Sequence, residues 1–307
     1  MRTRFRPDRQ LTVRMLITVF LLGLVYVAFV AALIVLIDSV FLIVVIAAGL
    51  LAAQYWFSDR IALLAMRAQL VAPEQEPRLH GIIDRLCATA DMPKPRVAVA
   101  DTDLPNAFAT GRNTRRAVVC VTTGLMRRLD NAELEGVLAH ELSHIAHRDV
   151  VVMTVASFLG VLAGLVTRFA FYSQLFGDRR RGNDQTYLMV MAVMAVSAVV
   201  YALSFLLIRA LSRYRELAAD RAGAMLTGRP SSLASALIKV SDDMRRIPSR
   251  DLRAAEAFNA FFFAPAIGER VSLSTLLSTH PTMQRRLDQL GTMSTELGEA
   301  APSRWDS

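Results

Sequence analysis

Residues 130–147 read DNAELEGVLAHELSHIAH, and this stretch sets the architecture and chemistry expected of the chain. Asp130 followed by Glu133 matches a capping box, and the residues after it predict a helix that continues through His147. His140 and His144 are four residues apart, so both imidazoles lie on one helix face. Two imidazoles at this spacing, with Glu141 beside the first, predict a zinc site in which Glu141 is the general base.

A chance match on an amphipathic helix is the alternative to a metal site. HExxH occurs by accident in roughly 1% of chains of this length. Uncharged neighbours such as Val137, Leu138 and Ile145 would place the two histidines in an apolar wall. Burying two unpaired imidazoles there would be costly, which favours the metal site.

The third metal ligand is not decided by spacing. A catalytic zinc takes three protein ligands and keeps one open position, and the candidates are Glu216, Asp220, Asp149, His147 and His280. His147 lies about 10.5 Å along the helix from His140, too far to share one ion, and is expected to cap the helix C-terminus. Glu216 could bind zinc while Asp220, four residues on, accepts the second N–H of a ligand histidine. An exposed acidic face paired with neighbouring arginines explains the same spacing equally well.

Composition points to a membrane protein. The 307 residues are 53% hydrophobic and only 20% charged, and their mean hydropathy is +0.36. These values exclude a disordered chain and argue against an ordinary soluble domain, which carries about 25% charged residues. The net charge of +8 favours an anionic membrane surface over nucleic acid, since the arginines cluster beside apolar spans. Cys87 and Cys120 form no CxxC motif, so we expect ordinary buried thiols.

Four uncharged stretches predict transmembrane helices arranged as two hairpins. They cover residues 15–37, 40–57, 150–167 and 186–208. The basic N-terminus and the arginines at 209, 213 and 215 then share one side, which the positive-inside rule makes cytoplasmic. Arg179, Arg180 and Arg181 disagree, because this topology places their loop outside.

Two further regions read as one soluble domain, so the fold class expected is mainly α with a small β-sheet. The predicted helices cover residues 76–90, 217–226 and 231–244, with a short one from Pro281 to about Leu290, and the predicted strands cover 96–100, 107–110 and 117–121. The domain boundaries expected are 1–57, 58–149, 150–208, 209–292 and a flexible tail at 293–307.

Four stretches of the chain match one protein family in order. They read PNAFATGRNTRRAVVCVTTGL (Pro105–Leu125), LAHELSHIAHRD (Leu138–Asp149), RYRELAAD (Arg213–Asp220) and STHP (Ser278–Pro281). They resemble the HtpX family of membrane zinc metalloproteases, and the resemblance covers nearly the whole chain. It implies a gluzincin-type site with one Zn²⁺ on a zincin-like core.

Carried onto this sequence, the resemblance assigns roles to individual residues. It implies that His140, His144 and Glu216 are zinc ligands, that Glu141 is the base, and that Asp220 supports the zinc site. The segment Asn106, Ala107, Phe108 and Ala109 resembles the family's edge strand beside the zinc, where an extended peptide substrate can pair. Asn106 could stabilise the oxyanion or be a plain turn residue. His280 could stabilise the tetrahedral intermediate or be a surface histidine.

The function expected is zinc-dependent hydrolysis of misfolded or damaged membrane proteins at the cytoplasmic face of a bacterial inner membrane. Its partners would be membrane-protein and unfolded polypeptide substrates and the lipid bilayer, without nucleic acid; a homo-oligomer is compatible with the sequence. A prenyl-protein endoprotease is the alternative enzyme, against which the four-span count argues. A non-catalytic membrane scaffold is the alternative outside enzymology, although such a protein would have no need of the base Glu141.

Overall fold

The computed structural model describes residues 9–36, 40–147, 184–246 and 281–299, which form mainly helices around one small sheet. The helices are α1 (Arg9–Leu36), α2 (Val40–Ala65), α3 (Pro77–Ala90), α4 (Thr123–Arg128), α5 (Asn131–Ala146), α6 (Asp184–Thr227), α7 (Pro230–Arg246) and α8 (Met283–Glu296). The strands are β1 (Gln69–Leu70), β2 (Arg96–Ala100), β3 (Ala107–Thr110) and β4 (Val118–Thr122). The predicted fold class of a mainly helical chain with a small sheet is confirmed.

The chain divides into two compact units. One comprises residues 12–56 and 152–211, and the other comprises residues 1–11, 57–151 and 212–307. The first unit contains the apolar parts of α1, α2 and α6, which are helical where spans one, two and four are predicted. Among the residues that the structure describes, one helical segment, Met194–Thr227, is long and apolar enough to cross a membrane. The third predicted span and Arg179–Arg181 lie outside the described residues.

The second unit is built on a four-stranded sheet in the order β1-β2-β4-β3. β4 lies parallel to β2 and antiparallel to β3. Because side chains alternate along a strand, Val119 and Val121 of β4 enter the main core with α3, α5 and α7. Val118 and Cys120 face the other side, where Ala62 of α2 packs against them. The sheet is therefore covered on both faces.

The predicted strands are confirmed, with β4 starting one residue later than expected. β1 and α4 were not predicted, because two and six residues are too few to show a hydrophobic period.

Helix α5 begins and ends as its sequence indicates. The Asp130 carboxylate accepts the Glu133 backbone N–H at 2.9 Å, and the Glu133 carboxylate accepts the Asp130 N–H at 3.0 Å. This capping box starts the helix at Asn131. The helix ends at Ala146, where the ring Nδ1 of His147 lies 2.8 Å from the carbonyl oxygen of Ser143. The predicted capping role of His147 is confirmed.

Two predicted helices are longer in the structure. The segments 186–208 and 217–226 belong to one helix, α6, because no glycine or proline interrupts residues 209–216. Helix α8 starts at Met283 and continues past Leu290 to Glu296, so residues 293–296, which we expected in the tail, belong to this helix. Met293 and Ser294 in the added turns are buried and pack against the rest of the domain. Gly298, with a φ of 70°, follows the C-terminus of α8.

Candidate metal centre

Helix α5 places the two histidines of the HExxH stretch side by side in the protein interior. His140 and His144 are 1% and 7% exposed, and their rings meet edge to face with centroids 4.9 Å apart. Their Nε2 atoms lie 3.2 Å from each other. The helical i, i+4 spacing thus directs two imidazole nitrogens to one point.

Glu216 of α6 completes a triangle with the two histidines. Its carboxylate oxygens lie 3.6 Å from the Nε2 atom of His140 and 3.6 Å from that of His144. Four ligands placed tetrahedrally at 2.0–2.1 Å from zinc lie about 3.3 Å from one another. The two Nε2 atoms are separated by about that edge length, and each has a different Glu216 oxygen 3.6 Å away, Oε2 at His140 and Oε1 at His144. The three residues therefore fit a zinc ion that keeps one open position. Of the two acidic residues that sequence spacing left open, Glu216 is the one whose carboxylate lies against the two Nε2 atoms.

Asp220 lies behind the triangle, one helical turn after Glu216. Its Oδ1 atom is 2.9 Å from the Nδ1 atom of His140. A carboxylate at that nitrogen fixes the ring orientation and leaves Nε2 to face the metal position. Burial lowers the pKa of His140, but hydrogen bonds to Asp220 and Glu216 outweigh it and raise the pKa to about 9. The two carboxylates therefore make this a site that favours positive charge.

Arg286 of α8 is the residue of this cluster that the sequence did not reveal. Its side chain is 1% exposed. Its Nε donates to Oδ2 of Asp220 at 2.7 Å, and its Nη2 donates to Oδ1 at 2.6 Å. The signal was available, since Arg286 lies four residues before the core residue Leu290 on the buried face of α8. An arginine on a core-facing helix position requires a partner.

Glu141 is buried next to the triangle without belonging to it. Glu141 is only 4% exposed. Burial raises the pKa of its carboxyl group above the ordinary value, while the neighbouring imidazoles oppose that rise. The backbone of Ala109 in β3 also hydrogen-bonds to this carboxyl group. A carboxyl group whose pKa is raised accepts a proton more readily, as a general base must.

Strand β3 forms one edge of the sheet and borders Glu141. Asn106, just before the strand, is fully buried. Its carbonyl oxygen accepts the Thr122 backbone N–H at 3.0 Å, and its own N–H donates to the Thr122 side-chain Oγ1 at 2.9 Å. Since bonded and non-bonded pairs alternate in an antiparallel ladder, the backbone groups of Ala107 and Ala109 point away from β4. Ala107 and Phe108 are buried, whereas Ala109 is partly exposed. The predicted strand beside the metal position is therefore present, with one residue directed at Glu141.

Two other candidate ligands, Asp149 and His280, lie outside the described residues. His147 is at the C-terminus of α5, where it bonds to Ser143. The structure therefore brings together His140, Glu141, His144, Glu216 and Asp220 of the predicted site residues, and it adds Arg286.

Comparison with known proteins identifies the family. Residues 73–294 match the model of peptidase family M48. The chain is 68% identical over 306 residues to Protease HtpX homolog 1 of Streptomyces coelicolor, covering 99% of this chain and 100% of the relative. It is 50% identical over 300 residues to the Protease HtpX homolog of Moorella thermoacetica, covering 97% of this chain and 99% of that one.

A solved structure shares the fold. The crystal structure of S. mikatae Ste24p matches with a TM-score of 0.51 at 17% identity, covering 94% of this chain and 68% of that one.

The family model and the sequence relatives show that the chain belongs to peptidase family M48 and, within it, to the HtpX proteases. It is a membrane metalloprotease.

Proposed function

We propose that this M48 protease is a zinc-dependent endopeptidase, with one Zn²⁺ held by His140, His144 and Glu216. The observation that carries the proposal is the convergence of these three buried side chains: the two Nε2 atoms lie 3.2 Å apart, and each lies 3.6 Å from one oxygen of the Glu216 carboxylate. Two imidazoles and one carboxylate are the ligands of a well-known class of catalytic zinc site. Zinc bound there would polarise the scissile carbonyl and lower the pKa of a water molecule.

Glu141 is the general base in this proposal. Its buried carboxylate lies beside the three proposed ligands rather than among them, and burial raises its pKa above the ordinary value of a glutamate, which favours proton acceptance. It takes a proton from the attacking water and passes that proton to the amine that leaves. Asp220 supports the reaction by holding the ring of His140 through Nδ1.

The substrate pairs as an extended strand along the edge at Asn106–Ala109. Backbone groups of Ala107 and Ala109 point away from β4, and pairing through the main chain requires no particular side chains in the substrate. Asn106 and His280 are the residues proposed to stabilise the oxyanion.

The substrates proposed are misfolded or damaged membrane proteins at the cytoplasmic side of a bacterial inner membrane. Four spans in two hairpins, at 15–37, 40–57, 150–167 and 186–208, carry the protease domain at 58–149 and 209–292. Cysteine labelling tests this topology. A cysteine introduced at residue 180 should react from outside intact cells, and reaction only after permeabilisation would contradict the four-span arrangement.

Substrate class can be tested in proteoliposomes. A membrane-embedded substrate with an unstructured cytoplasmic segment should be cleaved faster than a soluble unfolded protein at equal concentration. Equal rates would contradict the preference for membrane proteins while leaving the endopeptidase itself untouched.

The endopeptidase activity is tested with full-length protein in detergent, loaded with zinc and incubated with casein. Wild type should cleave casein, whereas Glu141→Gln should keep its zinc and lose cleavage. Glu135→Gln is the matched control, since Glu135 lies on the same helix and pairs with the exposed Arg85 at 3.2 Å. Equal cleavage by wild type and Glu141→Gln would refute the role of Glu141. Cleavage of a prenylated peptide alone would favour the alternative enzyme.

A further inference from the structure

Gly223 of α6 lies directly against the backbone of α5 at His140. Glu216, Asp220 and Gly223 follow one another at i, i+4 and i+7 on α6, so they share one face of that helix. This is the face that meets His140 of α5. The glycine thus lies one turn beyond the two acidic residues of the candidate metal centre.

A side chain at position 223 would collide with the backbone of α5. A Cβ atom added to Gly223 would lie 2.9 Å from the backbone nitrogen of His140 and 3.1 Å from its Cα. It would also lie 3.2 Å from the carbonyl carbon of Ala139. All three are main-chain atoms within a helix, so no side-chain rotation can relieve the overlap.

Relief of that overlap requires α6 to move away from α5. Ordinary van der Waals contact starts at 3.4 Å, so the closest pair, at 2.9 Å, must separate by about 0.5 Å. The packing of α6 against α5 also sets the distances from His140 to Glu216 and to Asp220, 3.6 and 2.9 Å. Metal–ligand distances in protein sites are expected within about 0.2 Å of their standard values, so a shift of this size matters.

From this geometry we propose that Gly223 is a positioning residue of the metal centre. Its missing side chain lets α6 approach α5 closely enough for Glu216 to face His140 and His144, and for Asp220 to reach Nδ1 of His140. Gly223 acts through these residues and touches neither metal nor substrate. The inference rests on the proposed metal site.

Gly136 of α5 supplies the control, because it packs against a different helix, α7. A Cβ atom there would lie 3.2 Å from the Cα of Leu233 and 3.3 Å from its nitrogen and Cβ, so Gly136→Ala crowds α5 against α7. Both glycines are inside helices, and alanine raises helix propensity equally at both. The overlap is tighter at Gly223, 2.9 Å against 3.2 Å at Gly136, but both substitutions crowd α5 against a neighbouring helix, and only Gly223→Ala does so on the helix that carries Glu216 and Asp220.

The experiment compares wild type, Gly223→Ala and Gly136→Ala as full-length protein in detergent. Zinc affinity is measured by competition with a chromophoric chelator, and the thermal unfolding of each metal-free protein is recorded beside it. Gly223→Ala should bind zinc about tenfold more weakly or worse, the loss typical of disturbed support around metal ligands. Gly136→Ala should bind zinc as wild type does, whatever its melting temperature.

The visible spectrum of Co²⁺-substituted protein provides a second readout, which reports ligand geometry directly. It should change in Gly223→Ala and stay unchanged in Gly136→Ala. If metal-free Gly223→Ala does not fold, zinc release from protein purified with zinc is timed instead, and it should be about tenfold faster than from wild type.

Three outcomes would overturn the inference: wild-type zinc affinity in Gly223→Ala, a wild-type release rate where release is measured, or an equal loss of affinity in both glycine variants. Glu216→Ala separates this failure from failure of the proposed function. If Glu216→Ala loses zinc while Gly223→Ala keeps it, only the role of Gly223 is wrong. If Glu216→Ala keeps zinc, the metal site itself is wrong.

Discussion

Replacing Arg286 with methionine should destabilise the protein far more than a typical loss of an arginine. Arg286 and Asp220 are both almost fully buried, and two hydrogen bonds of 2.7 and 2.6 Å join them. Methionine is close in length and apolar, so it leaves little cavity but removes both bonds and the charge. Asp220 would keep its negative charge in the interior, and among the described residues His140 is the partner it would retain.

The magnitude follows from that burial. Removing one partner of a buried ion pair costs about 3–5 kcal/mol, because an uncompensated charge stays buried. At 2–4 °C per kcal/mol for a domain of 150–250 residues, Tm should fall by about 6–20 °C. An exposed ion pair, by contrast, contributes about 0–1 kcal/mol.

The assay is thermal unfolding of metal-free protein in detergent, with Arg285→Met as the control. Arg285 is exposed and is the neighbour of Arg286 on α8, so its loss should cost less than about 0.5 kcal/mol. Arg286→Lys should recover part of the stability, since lysine supplies the charge without the two-pronged contact.

A double-mutant cycle isolates the pair itself. In an Asp220→Asn background the cost of Arg286→Met should shrink, because no charge is then left unpaired. The inference of a stabilising buried ion pair is refuted if Arg286→Met has the same Tm as Arg285→Met. It is also refuted if Arg286→Met lowers the free energy of unfolding equally in the wild-type and Asp220→Asn backgrounds.

Two further predictions concern the rest of the protease domain. Asp130→Ala removes the capping box of α5 and should lower the free energy of unfolding in urea by about 1 kcal/mol. Asp130→Asn should keep most of the stability, because asparagine also caps helices. Equal losses in the two variants would show that the cap does not contribute. Burial raises the pKa of Cys87 to about 11 and that of Cys120 to about 12, so neither thiol should react with Ellman's reagent at pH 7.5 until the protein is denatured. Rapid labelling of folded protein would show that a thiol is accessible.

The parts of the metal centre that the sequence could predict are local ones. His140, Glu141 and His144 are fixed relative to one another by the geometry of a single helix, and the capping box marks where that helix starts. Glu216 is different, because its distance from His140 depends on how α6 crosses α5. Spacing along the chain carries no information about that crossing, and the preference for Glu216 came from family resemblance.

The features that the sequence did not predict also have physical causes. The spacing of Arg286 to Leu290 could have marked it as a core-facing residue, but its partner Asp220 lies 66 residues away along the chain, so the pairing itself could not be predicted. The continuity of α6 was missed because the apolar span ends near Ile208 while the helix continues through polar residues to Thr227. A change of polarity along the chain marks a change of surroundings, which need not coincide with a helix end.

Zinc retention in three proteins tests the central claim most directly. Wild type, Glu141→Gln and Glu216→Ala are loaded with zinc, dialysed against a weak chelator, and assayed for metal per chain. The account predicts about one zinc in wild type and in Glu141→Gln, since three protein ligands remain in both, and much less in Glu216→Ala. Full zinc retention by Glu216→Ala would contradict the metal centre described here.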